Sequence, residues 1–103
     1  MRVILAGVIL SFRYVTIGKD AQKVGQVDVL QAGDKRFPAK VVPVYIPSSA
    51  YCRLILEQLN TYREPYITLL IQIIEGRELQ LEVLEVLQIQ AEELLPDGVA
   101  ITS

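Results

Sequence analysis

The stretch Arg2–Val15, RVILAGVILSFRYV, limits what this chain can become more than any other. Its odd positions carry Val3, Leu5 and Ile9, and its even positions carry Ile4, Ala6, Val8, Leu10 and Phe12. Apolar residues on both alternating faces require a segment covered on two sides, either a doubly buried strand or a short buried helix. The β-branched enrichment and the break at Gly7 favour a strand that bends at the glycine, where the missing side chain lets the backbone coil. A long first strand that bends and serves two sheets is how small Greek-key barrels begin.

The rest of the chain supplies partners for such a strand. Thr16–Lys23 is polar, contains Gly18, and reads as a hairpin loop. Val24–Leu30 follows as a second strand, with Val27 and Val29 alternating with Gln26 and Asp28. Ala32–Arg36 forms a turn tipped by Gly33-Asp34, and Phe37–Ile46 is a third strand. Pro38 and Pro43 lack ladder donors, so this strand belongs at an edge or is bulged. Pro47-Ser48-Ser49 offers a helix cap, and Ala50–Asn60 has helical spacing with Tyr51, Leu54, Ile55 and Leu59 on one face. Pro65 ends that helix. Tyr66–Ile74 and Leu79–Ile89 are a fourth and a fifth strand joined by Glu75-Gly76-Arg77-Glu78. The alternation of the fifth strand slips near Leu84–Val86, as a β-bulge makes it. Gln90–Ser103 reads as a short helical turn and a tail.

At 103 residues, half of them apolar, the chain makes one folded domain with one modest core. No apolar run reaches the roughly 18 residues of a membrane span. Met1-Arg2 followed by VILAGVIL imitates a secretory leader, but Phe12, Arg13 and Tyr14 stand where small cleavage-site residues belong. The single cysteine, Cys52, rules out an internal disulfide or a cysteine zinc site and suits a reducing cytoplasm. Histidine is absent, which removes the commonest general base and metal ligand. Neither a phosphate-cradling glycine loop nor metal-ligand spacing occurs, so the reading is a non-enzyme without a cofactor or metal. Cys52, beside Arg53 in the helix and lacking a histidine partner, reads as a buried structural thiol.

Charge is unevenly distributed along the chain. Residues 1–40 hold seven cations against three anions, and residues 41–103 hold three against nine. One reading is a polyanion-facing side opposed to an acidic side; the other is solvated faces that differ without purpose. Basic and aromatic residues adjoin at Arg13-Tyr14 and at Lys35-Arg36-Phe37. Lys19 and Lys23 lie in the first hairpin, Lys40 follows the second turn, and Arg77 sits in the last. For Phe12, Tyr45 and Tyr51 burial or an interface is the simpler role, while Tyr62 and Tyr66 flank a turn and stay open.

Three strands, one helix and two strands, with an opening RVILAG, resemble the oligonucleotide-binding (OB) proteins of the single-stranded DNA-binding and primosomal replication protein N type. The resemblance implies an all-β fold, a five-stranded Greek-key barrel with the helix between strands three and four, over residues 1–90 with a tail at 91–103. It also implies a homo-oligomer acting in DNA replication on single-stranded DNA or RNA, with no membrane partner. Arg13, Tyr14, Lys19, Lys23, Lys35, Arg36, Phe37, Lys40 and Arg77 would then neutralise phosphates and stack on bases. The acidic total and the absence of tryptophan point instead to an OB-type assembly subunit without nucleic-acid affinity. The surplus of apolar residues on strands one and three fits self-association under either reading.

Overall fold

A computed structural model describes residues 1–33, 35–36, 38–76 and 80–95. The elements are β1 (Arg2–Ile17), β2 (Gln22–Gln31), β3 (Lys40–Ile46), α1 (Ser49–Thr61), β4 (Tyr66–Ile74) and β5 (Gln80–Gln90). The strands close into a barrel in the order β1-β2-β3-β5-β4. Neighbours are antiparallel except β3 and β5, which run parallel and meet at Tyr45 and Glu82. That single pairing leaves most of β3 at an edge, where Pro43, lacking an N–H, is tolerated.

β1 does serve two partners. Arg2–Val8 pairs with β4, and Val8–Ile17 pairs with β2, so the strand turns the corner of the barrel at Val8. The device differs from a flexible glycine. Gly7 is not among the residues at positive φ; what it supplies is space. A β-carbon there would collide with the Leu30 carbonyl oxygen and stand 2.8 Å from the Val29 side chain. The change of phase comes three residues later. Ile9 pairs with Val29 but Ser11 pairs with Asp28, so Leu10 is an unpaired bulge. Before it Leu5 and Ile9 face the core, and after it Phe12 does. One extra residue thus brings Phe12 into phase with Leu5 and Ile9. Ile4 and Leu10 on the other face are exposed, so β1 is not covered on two sides as its sequence led one to expect.

The core is filled by these residues together with Val27, Val29, Val44, Ile46, Ile67, Leu69 and Ile71 from the other strands. Register slips in β5 leave Leu84 and Leu87 as bulge residues, which accounts for the broken alternation of that strand.

α1 begins at Ser48, whose hydroxyl oxygen accepts a hydrogen bond from the Tyr51 amide at 3.3 Å, a cap worth about 1 kcal/mol. It ends where Tyr62 turns extended ahead of Pro65. Its buried face is Cys52, Ile55 and Leu59, with Tyr51 and Leu56 packed at the margin. The helix is therefore rotated from the face expected on Tyr51 and Leu54. Gly25 is the reason: a β-carbon on it would stand 2.6 Å from the Cys52 Sγ and 2.7 Å from the Phe12 ring. Its bare backbone forms the seat into which the thiol docks.

Several boundaries also differ from the sequence reading. β1 runs on to Ile17 and β2 spans Gln22–Gln31, so the hairpin loop expected over 16–23 shrinks to 18–21. β3 starts at Lys40, after exposed Pro38 and Ala39, instead of at residue 37. Residues 93–95 do not form a helical turn. They run beside the end of α1, the Arg63 amide donating to the Glu93 carbonyl at 2.7 Å and the Leu95 amide to the Thr61 carbonyl at 3.0 Å. The expected Pro96-Asp97-Gly98 turn lies outside the described residues.

Candidate nucleic-acid interface

Val27, Val29, Val44 and Ile46 point inward and are fully buried, so the alternate residues of β2 and β3 point outward. Register then assembles an outer face. Gln26 lies between Arg13 of β1 and Tyr45 of β3, and Asp28 lies between Ser11 and Pro43. Arg13 is exposed and Tyr45 half-buried, so a cation and an aromatic ring flank an amide on one surface. Gln26 as a whole is 9% exposed. The Asp28 carboxylate accepts from the Ser11 hydroxyl at 3.1 Å and from Gln26 Nε2 at 3.3 Å. Such a face can offer positive charge, a ring for stacking and fixed hydrogen-bond groups.

The cationic residues expected at an interface fall into two groups. Lys19 occupies the β1–β2 turn, which closes with the Ala21 amide donating to the Gly18 carbonyl at 3.2 Å. Lys23 stands one register pair inside that hairpin, opposite Thr16. Lys35 and Arg36 lie exposed in the β2–β3 connection, and Lys40 pairs with Gln31. From Lys23 to Gln31 is eight residues of strand, about 26 Å. The two groups therefore sit at opposite ends of β2, with Arg13 between them. Phe37 and Arg77 lie outside the described residues.

Tyr14 faces away from Arg13, on the side of the sheet that carries Phe12. The two rings meet edge-to-face with centroids 5.1 Å apart. The Lys23 ammonium lies over the Tyr14 ring, 4.7 Å from its centroid. Tyr14 is thus a lid over the Phe12 end of the core with its exposed ring already covered by a cation. Tyr45, assigned to burial or an interface from sequence, is the aromatic that shares a surface with Arg13. The alternation of Val44 and Ile46 around it was the signal for that. Tyr66 is exposed at an open groove of about 360 Å³ formed with Arg63, Glu64, Gln90, Glu92 and Glu93. That rim is acidic, relieved by an Arg63–Glu93 pair at 3.6 Å whose side chains are both more than half exposed.

Other features carry less chemistry. Burial pushes the Cys52 thiol above its ordinary pKa, partly offset by a hydrogen bond from the Gly25 backbone. The thiol donates to the Ile46 carbonyl at 3.4 Å, so it is a packed group and not a nucleophile. Among the described residues no group of three or more Cys, Asp or Glu is placed to hold a metal ion, and no helix is long and apolar enough to cross a membrane. A second outer surface is apolar. Ile4 is 67% exposed, pairs laterally with half-buried Leu70, and adjoins Ala6 and Val8. Leu30 and exposed Val41 extend this band across β2 and β3.

Comparison with protein-family models, with curated proteins and with solved structures returns no match to this chain.

Proposed function

We propose that this chain is an OB-type barrel that binds single-stranded nucleic acid, DNA foremost, without catalysis and as a homo-oligomer. The observation that carries the reading is the outer face of β1–β2–β3, where Arg13 and Tyr45 flank Gln26 and cationic groups stand at both ends of β2. A strand laid along β2 meets the Lys19 turn at one end, Arg13 and Tyr45 midway, and Lys35 with Arg36 in the connection at the other. Lys23 and Lys40 alternate onto the opposite face, in phase with Val27 and Val44. The span of about 26 Å suits the short end of the 4–16 nucleotides that an OB fold covers. Supporting it are the strand order and the place of the helix in the chain, which match the OB plan.

The test is a titration of fluorescent oligo-dT, read by anisotropy at low and at higher salt. Binding should weaken steeply as salt rises, because each neutralised phosphate releases counterions. Tyr45→Ala should lose about 1–3 kcal/mol, the value of one stacked base. Arg13→Ala, or Lys35→Ala with Arg36→Ala, should also flatten the salt slope by about one for each phosphate no longer neutralised. No binding at micromolar protein and low salt would leave the second reading, an assembly subunit without nucleic-acid affinity. The exposed Ile4 and Val41 favour that reading, since such a band is what a protein partner covers.

A further inference from the structure

Asp28 is out of place on a phosphate-binding surface. It lies midway along β2, on the same outer face as Arg13 and Tyr45, and like charge there repels the backbone of a nucleic acid. Its two hydrogen-bond donors, the Ser11 hydroxyl and the Gln26 amide, are both neutral, so neither bond pairs the carboxylate with a cation. Among the described residues no cation lies within ion-pair distance of it. The two bonds do something else: one holds Oδ1 and the other holds Oδ2, so the carboxylate is fixed in orientation with lone pairs still open.

Resting on the function proposed above, we infer that Asp28 is a base-reading residue that selects nucleotides whose bases carry an exocyclic amino group. Cytosine, adenine and guanine present N–H donors to a carboxylate, the pairing seen where Asp or Glu accepts from cytosine N4. Thymine and uracil carry no amine, and their one donor on that edge, N3–H, stands between two carbonyl oxygens that repel the fixed carboxylate, so they are disfavoured. Lysine hairpins hold the phosphates without regard to sequence, and Tyr45 stacks on any base. Selection then falls to the fixed carboxylate on the face.

The test compares wild type with Asp28→Asn on 12-residue oligo-dC, oligo-dA and oligo-dT, by anisotropy at fixed low salt. Bases differ in stacking strength, so the readout is how the dC/dT and dA/dT affinity ratios change between the two proteins. Wild type should bind oligo-dC about tenfold tighter than oligo-dT, the lower part of what one good base contact supplies. In Asp28→Asn that ratio should fall toward unity, mainly because oligo-dT now binds more tightly as the repulsion is removed. Ser11→Ala keeps the charge but frees Oδ2, and should reduce the ratio without raising oligo-dT affinity; it serves equally if Asp28→Asn does not fold. Salt-dependent binding with the same ratios in all three proteins overturns the inference and leaves the function standing. Failure of every oligonucleotide to bind overturns the function and the inference with it.

Discussion

Gly25→Ala tests how the helix is seated on the barrel. The new methyl would stand 2.6 Å from the Cys52 Sγ and 2.7 and 2.8 Å from two carbons of the Phe12 ring. Ordinary contact begins near 3.5 Å, so each neighbour must retreat by about 0.8 Å. Neither has free space, because Phe12 and Cys52 are each only 2% exposed. Phe12 is backed by the rest of the core, and Cys52 is tied to the Ile46 carbonyl. Overpacking of this kind costs about 1–3 kcal/mol. Replacing glycine in a strand returns about 0.5–1 kcal/mol of chain entropy. The expected net loss is about 1–2 kcal/mol, a fall in Tm of roughly 4–16 °C for a domain this size. Urea denaturation at fixed protein concentration measures it. The double variant Gly25→Ala/Cys52→Ala separates the two contacts, since removing Sγ relieves one and leaves the ring. It should be less destabilised than the sum of its single variants by about 0.5–1 kcal/mol. A neutral or stabilised Gly25→Ala, or strict additivity in the double variant, would refute the account of a thiol docked into a backbone notch.

Ala21 closes the first hairpin at φ +49°, a left-handed conformation that costs an L-residue about 1–2 kcal/mol. Ala21→Gly should therefore raise stability by about 0.5–1 kcal/mol in the same urea assay, the glycine's extra unfolded-state entropy offsetting part of the relief. Burial raises the Cys52 pKa above 9.0, so the unfolded chain ionises first. Stability owed to the neutral thiol is whole below pH 9.0 and declines as pH rises through the folded pKa, a decline that Cys52→Ala should remove from a pH series of melts. Ile4→Lys places a charge in the exposed apolar band, and should shift the molar mass from light scattering toward the monomer while leaving the circular dichroism spectrum unchanged. An unchanged mass would remove this band as a self-association surface.

Much of this architecture is legible in the sequence because it follows from local periodicity. Five strands and one helix appear in their order, β4 with both ends right, because Ile67, Leu69 and Ile71 alternate cleanly and Pro65 and Gly76 punctuate. The bulge at Leu84 is likewise visible as a broken alternation, whereas the second one, at Leu87, is not. The expectation that β1 is covered on both faces fails, since Ile4 and Leu10 are exposed. The bulge at Leu10 and the crowded crossing at Gly7 depend on where β2 lies, which no residue of β1 encodes alone. The helix face shifted for the same reason. Helical spacing is satisfied by several neighbouring stripes, and Gly25, a strand residue 27 positions away from Cys52, selects among them.

The candidate site divides along that line. Which residues are cationic, aromatic or carboxylate is a property of the chain, and so are the lysine-bearing hairpins. Which of them share a surface is decided by strand register. Register joins Arg13, Gln26 and Tyr45 in one row and sets Asp28 beside Ser11, while it turns Tyr14 to the opposite face under Lys23. Sequence states what each side chain offers and how often it changes sides. Only closure of the barrel, which pairs residues far apart in the chain, determines what each one faces.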